Sequence, residues 1–324
     1  MIMVIKLNKR DQKLLKILDL DARQSNIQIA KKLKISKNVV NYNIKRLEDE
    51  KLIKGYNTLV NASKLGYFFF RVYVDFYERD INVDDELIKY LIDLPEAGLV
   101  ARVVGEWDVL IGFYVEKVDD FQKVWNKVLE KFRKHVKHFN IALVTEQISF
   151  RRSYLTDEKK DISEKNWVID EAEKVKVDDL DLNILKMLAK NARTPIKDIA
   201  LKTKMGSMAI IYRIKQLINK KVIVGTRVSI EFSKLGYNHY RVNMELDDLK
   251  VINKLISFCQ VHPNILKVDK AISEFDFEFD MEVKNFEQFQ EIIDQMKIQF
   301  PGAIRDYNYF RVLKYYKGIY MPSK

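Results

Sequence analysis

Among 324 residues there is a single cysteine, Cys259. That excludes an internal disulfide and any zinc site built from several thiolates, and it points to a reducing compartment. A small buried apolar residue is the simplest role for it. His135 and His138 stand three apart, a spacing open to a metal pair, yet no carboxylate or cysteine cluster accompanies them. A solvated basic helix end accounts for them better than a metal site. The chain also lacks a glycine-rich phosphate loop, a nucleophile elbow and a metal quartet, so nucleic-acid chemistry is not expected. No apolar run approaches the roughly 18 residues that span a bilayer, and the opening MIMVIKLNKR turns charged after five residues. A cytoplasmic protein is the expectation.

What is present is apolar bulk and unevenly placed charge. Hydrophobic residues make up 47% of the chain, enough for substantial cores, and the length favours two or more domains. The net charge is +11. Residues 1–66 carry 15 Lys and Arg against 6 Asp and Glu, and residues 176–236 carry 13 against 5, while every other stretch is slightly acidic. Basicity confined to two blocks implies an anionic polymer as partner.

The first block contains SKNVVNYNIKRLEDEKLIKGY, from Ser36 to Tyr56. Ser36 is a good helix N-cap, and Val40, Ile44 and Leu47 then recur with helical spacing. The opposite face carries Lys37, Asn38, Asn41, Tyr42 and Lys45, side chains that can reach base edges and phosphates. Two shorter amphipathic segments precede it, with Leu14, Ile17 and Leu18 in one and Ile29, Ala30 and Leu33 in the other. The intervening LKIS turn is short enough for a helix-turn-helix, and β-prone residues after Gly55 suggest a wing. Tyr42 and its later equivalent Tyr212 suit stacking or phosphate contact and partial burial about equally.

Beyond residue 62 the periodicity changes to that of strands. Phe68, Phe70, Val72, Val74 and Phe76 share one face, with Arg71 and Asp75 on the other. A helix over 84–94, two strands joined at Gly105 to Asp108, a helix over 119–132 and a final strand in IALVTEQISF complete a βαββαβ order. The Phe68–Phe70 run reads as sheet packing, not a cofactor box. Residues 151–178 are dense in charge and free of glycine and proline, which predicts a solvated helix or an extended arm.

Then the chain repeats. A shift of 170 residues, without gaps, aligns Asp11 with Asp181, Ala22 and Arg23 with Ala192 and Arg193, and Tyr42 and Lys45 with Tyr212 and Lys215; SKLGY at Ser63 recurs whole at Ser233. This is a duplication. The fold class is α+β, with two winged helix-turn-helix units (1–62 and 178–232), two ferredoxin-like βαββαβ units (63–155 and 233–324) and a charged connector (156–177). The final YNYFRVLKYYKGIY alternates aromatic and basic residues, a pattern open to single-strand binding but better read as a closing strand.

A basic winged helix-turn-helix followed by βαββαβ resembles the Lrp/AsnC, or feast/famine, transcription regulators. The matching features are Asp11 and Asp181, the DAR and NAR turns, the IA pairs, the wing glycines Gly55 and Gly225, and the LG before the first sheet strand. The resemblance implies a double-stranded DNA partner, no cofactor, and a sheet domain, often called RAM, that pairs chains and takes amino-acid-like effectors near a G-x-x-D pattern. Gly105 and Asp108 match that pattern; in the second copy Asp276 matches but Ser273 replaces the glycine. A fused pseudo-dimer follows, with higher homo-oligomers open to it.

DNA contacts are expected from Ser36, Lys37, Asn38, Asn41, Tyr42, Lys45, Arg46 and Lys54 in the first head, and from Ser207, Tyr212, Arg213, Lys215, Lys220, Lys221 and Arg227 in the second. The heads differ. Met208, Ala209 and Ile211 replace Asn38, Val39 and Asn41, and Asn43 stands where the family tends to carry the arginine kept at Arg213. The first copy is therefore expected to read sequence and the second to anchor, with Asn43 costing the first a phosphate contact. Siroheme decarboxylases share this layout and, as that resemblance goes, place histidine and tyrosine in the second-strand region. LVARVVGEWD and ILKVDKAISEFD contain neither, so an enzyme is the weaker reading. An architectural DNA-coating protein is a third.

Overall fold

A computed structural model describes residues 4–77, 81–156 and 166–322. The first head consists of α1 (Lys9–Leu20), α2 (Asn26–Leu33) and α3 (Lys37–Asp49). Each helix has its own start signal. Asn8 accepts from the Arg10 and Asp11 amides, Ser25 forms a capping box with Gln28, and Ser36 accepts from the Val39 amide at 3.3 Å. Leu14, Leu18, Ile29, Val40, Ile44 and Leu47 close the core of this head.

The chain leaves the head through β1 (Ile53–Val60) and builds the first sheet domain from β2 (Phe68–Phe76), α4 (Ile81–Asp93), β3 (Ala97–Gly105), β4 (Val109–Val115), α5 (Val118–Phe132) and β5 (Val136–Ser149). A short β6 (Trp167–Asp170) follows. The second copy runs α6 (Asp179–Lys190), α7 (Ile196–Thr203), α8 (Ser207–Asn219), β7 (Ile223–Ile230), β8 (Asn238–Leu246), α9 (Ile252–Val261), β9 (Ile265–Ile272), β10 (Phe277–Val283), α10 (Phe286–Gln299) and β11 (Ile304–Gly318). Both copies therefore carry the expected elements in the expected order.

Two features of assembly were not expected. First, the wings are not free: β1 and β7 pair antiparallel with each other, so one ribbon joins the two heads. Second, the two sheets of the expected pseudo-dimer do more than pair: they join into one. Their strand orders, β5-β2-β4-β3 and β11-β8-β10-β9, are those of ferredoxin-like sheets, and they fuse edge to edge through β5–β9 and β3–β11. The strands β5 and β11 are long enough to pair at one end within their own sheet and at the other with the opposite copy. With β6 set aside, the nine-stranded sheet closes as an eight-stranded barrel.

Strand periodicity then sorts the side chains. Phe70, Val72 and Val74 point out to α4 and α5, and Val242, Met244, Phe277 and Phe279 to α9 and α10. Alternate residues point into the barrel. Tyr73, Trp107, Leu110, Phe310 and Val312 form an apolar cluster there.

Of the connector, residues 157–165 lie outside the described part. The remainder is the extended arm of the two expected forms. β6 pairs with β5, and further on the Val175 amide donates to the Lys64 carbonyl at 2.8 Å. The arm before the first head makes the equivalent bond, Ile5 to Lys234 at 2.7 Å. Each SKLGY motif thus receives the arm that precedes the opposite head. His138 packs face to face with Trp107, with 5.5 Å between ring centroids. No helix among the described residues is long and apolar enough to cross a membrane.

Candidate nucleic-acid interface

The helix α3 buries Val40, Ile44 and Leu47 and leaves Lys37, Asn38, Asn41, Tyr42 and Lys45 exposed along one face. Burial of one stripe and capping by Ser36 hold that face in a single orientation. Asn41 is also held from the side, its Oδ1 accepting from Asn26 Nδ2 at 2.5 Å. In the second head, Tyr212 and Lys215 are exposed on α8 in the same way, but the turn before them is apolar: Met208 is 77% and Ile211 45% exposed. Ser207 begins α8, whose N-cap is Gly206, so Ser207 does not repeat the capping role of Ser36.

The arginines correct the sequence reading. Arg46 is bound to the buried Asp11 at 2.6 Å and lies beside Glu50; these carboxylates raise its pKa. Arg213 makes the corresponding link in the second head, to Asp178 at 2.6 Å and Asp181 at 3.1 Å, again with a raised pKa. Both therefore fasten the third helix of a head to its first. The arginine absent at Asn43 is made good one turn later by Arg46, and Asn43 itself is buried. Arg227 is also spent internally. It is 8% exposed, donates to Asp19 at 2.8 Å and stacks on Trp167, so burial removes it from any DNA surface. Lys54 sits on the ribbon, 3.2 Å from Glu231. Lys220 and Lys221 follow α8 and are exposed, with Lys220 Nζ donating to the Lys176 carbonyl at 3.0 Å.

The DAR and NAR turns have a role that sequence comparison did not disclose. Ala22 donates its amide to Thr226 on β7 and Ala192 donates to Tyr56 on β1. Arg193 Nη1 donates to the Ala22 carbonyl at 2.7 Å, while Arg23 Nη1 donates to the carbonyls of Ala192 and Thr194. Each turn thus grips the opposite head.

Gly105 has φ +134°, and a Cβ there would lie 3.0 Å from the Tyr309 carbonyl oxygen. Asp108 Oδ2 accepts from the Phe76 amide at 3.0 Å, and Asp276 Oδ2 accepts from the Leu246 amide at 2.8 Å. Both carboxylates therefore terminate the first strand of their sheet. The G-x-x-D geometry supplies a backbone reason for these residues that is independent of any effector.

The barrel interior holds a buried ionic network. Arg71 and Arg241, equivalent positions in the two copies, both bind Asp269 and Glu278. Arg241 also reaches Asp280 at 2.8 Å, and Lys267 bridges Asp269 and Asp280. His239 Nδ1 lies 3.4 Å from Glu282, which Arg152 contacts at 3.0 Å on its way to Asp19. Burial alone would raise the carboxylate pKa values of Asp19, Asp269, Asp280 and Glu282, but the neighbouring Arg and Lys charges outweigh it and lower all four. The second copy supplies the acids. In register, Glu278, Asp280 and Glu282 face Asn243, Arg241 and His239, where the first copy sets Leu110, Gly112 and Tyr114 against Tyr73, Arg71 and Phe69.

The family model for a winged helix-turn-helix DNA-binding domain matches twice, at residues 7–54 and 177–224. An uncharacterised HTH-type transcriptional regulator of Pyrococcus furiosus is 30% identical over 128 residues, covering 39% of this chain and 83% of the relative. The HTH-type transcriptional regulator LrpA of Pyrococcus horikoshii is 44% identical over 61 residues, 19% of this chain and 43% of that one. Among solved structures, the siroheme decarboxylase NirDL, in complex with an iron-uroporphyrin III analogue, matches with a TM-score of 0.63 over 97% of this chain and 94% of its own, at 11% identity. That last likeness shows a shared fold alone. The two helix-turn-helix matches, the regulator relatives and the barrel of paired ferredoxin-like sheets together place this chain in the Lrp/AsnC family of transcription regulators, with the family unit present twice.

Proposed function

We propose that the protein is a sequence-specific regulator of transcription that binds duplex DNA with two unequal heads, 1–62 reading and 178–232 anchoring. The observation that carries this is the exposed row Lys37, Asn38, Asn41, Tyr42 and Lys45 on α3, on a helix whose other face is buried. Amides and lysines on such a face suit base edges and phosphates. The apolar Met208 and Ile211 on α8 have little to offer a base edge, while Tyr212, Lys215, Lys220 and Lys221 suit phosphate contact. The operator is accordingly asymmetric, with unlike half-sites set one helical turn or a multiple apart. Selection of bound fragments from random DNA, followed by footprinting, tests this. A perfect palindrome protected equally on both sides would sink the unequal-heads reading, and a larger loss of discrimination from Ile211→Ala than from Asn41→Ala would reverse the assignment of roles.

This reading makes the protein a binder, not an enzyme. Absorbance spectra after addition of an iron tetrapyrrole check the alternative: a shifted band, with loss of carboxyl groups from the tetrapyrrole, would overturn it. Competition with unrelated DNA separates a specific regulator from a coating protein.

A further inference from the structure

The ribbon of β1 and β7 lies across one mouth of the barrel, and between them is a chamber of about 360 Å³. All eight barrel strands and both ribbon strands contribute to its wall. The volume is at the small end of the roughly 300–1,000 Å³ of ligand pockets. Among the described residues its wall carries eight Lys and Arg side chains and three carboxylates, Glu231, Asp280 and Glu282. Asp19, Asp269 and Glu278, which pair with several of those cations, and Asp93 and Glu96 near Lys317 stand behind the wall, so the surface that faces the chamber stays basic. Arg71 lines the chamber and is 1% exposed, and no group among the described residues accepts from its Nε. A buried donor without an acceptor is costly, and an acceptor oxygen on a ligand would relieve it.

We propose that this chamber binds a small polyanion, a polycarboxylate or a phosphate, and that its occupancy sets the relative placement of the two heads. The ligand is bounded by Asn57 on β1 and Ser229 on β7 on one side and by Arg71 and Lys267 on the other. The ribbon is the element that each head's Ala22 or Ala192 turn grips, so a shift of the ribbon is passed to both heads. The site is distinct from the G-x-x-D turns, since Gly105, Asp108 and Asp276 do not line the chamber. Only the regulatory half of this inference rests on the heads being DNA readers.

The test is calorimetry of the full chain without DNA, titrated with citrate and, separately, with inorganic phosphate, at constant ionic strength. One-site saturable binding of either is expected, and the preferred anion identifies the ligand class. Lys190→Ala, at an exposed position, and Lys267→Met each weaken it about tenfold, whereas Lys127→Ala, on the outside of α5, leaves it unchanged. The bound anion changes operator affinity by about fivefold or more. Absence of binding by both anions, or binding indifferent to both Lys190→Ala and Lys267→Met, overturns the site. Binding that leaves operator affinity unchanged overturns the coupling. Normal operator binding with no anion binding sinks the chamber and leaves the DNA-reading function standing.

Discussion

Arg193 of the second copy donates from Nη2 to Asn26 Oδ1 of the first at 2.5 Å, and Asn26 in turn holds Asn41 on the exposed face of α3. The relation is one-sided, because the residues equivalent to Asn26 and Asn41 are Ile196 and Ile211. A side chain of the second head thus helps to orient a side chain of the first. Arg193→Ala removes this bond and the bonds to the Ala22 and Gln24 carbonyls, as well as a guanidinium stacked on Tyr56. Loss of about 2–4 kcal/mol in urea unfolding is expected, with weaker discrimination between operator sequences in competition assays. Full retention of both would show that the ribbon and the Arg23 contacts suffice to orient the heads.

Arg46 and Lys45 are adjacent in sequence and opposite in consequence. Lys45→Ala is expected to lower the slope of log affinity against log salt by about one. Arg46→Ala leaves Asp11 buried without its partner, so it lowers stability by ~1–3 kcal/mol with little change in the slope. Equal reductions in slope from the two variants would return Arg46 to the phosphate surface.

Glu278 compensates two buried arginines. Replacing it by leucine, the residue the first copy carries at Leu110, is expected to lower stability by about 3–5 kcal/mol because a buried positive charge loses its partner. The same substitution tolerated in thermal melts would show that the network holds charge to spare.

Acid should unfold the protein through this network. Asp19, Asp269, Asp280 and Glu282 titrate in the folded chain below their ordinary values of 3.8 and 4.5. The unfolded chain therefore takes up protons first. Their contribution is complete above the ordinary values and is lost as pH falls through the lower, folded ones. His239 behaves in the opposite sense. Burial opposes its charge, but Asp280 and Glu282 raise its pKa above 6.5, so its contribution is complete below that value and is lost as pH rises through the folded one. Urea melts across pH check both: His239→Gln should flatten the alkaline side and leave the acid side steep.

Much of the architecture was legible in the sequence. Helix stripes, capping serines and the 170-residue echo located both heads and both sheets, because those signals arise from contacts within one copy. The pairing of the two copies follows from the resemblance, but the closure of their sheets into a barrel was not legible. Glu278, Asp280 and Glu282 alternate with Phe277, Phe279 and Met281, a period that ordinarily marks a strand with one face in water, and here both faces are buried. Gly225 carries the pattern of a wing glycine, yet a Cβ there would collide with the Trp167 indole nitrogen, a neighbour 58 residues earlier in the chain. In the sequence Arg46, Arg213 and Arg227 look like DNA contacts, because an arginine on a basic helix or strand looks the same whether its carboxylate partner is near or absent. Only Arg46 has a partner within one helical turn, Glu50; the buried Asp11 is 35 residues away.

The closed barrel also alters the mass action of this regulator. In a two-chain dimer the sheet edges are satisfied by a second molecule, so folding and head spacing depend on protein concentration. Here β5–β9 and β3–β11 are satisfied within one polypeptide. The two heads therefore face each other at a fixed effective concentration, and neither dilution nor low copy number can separate them.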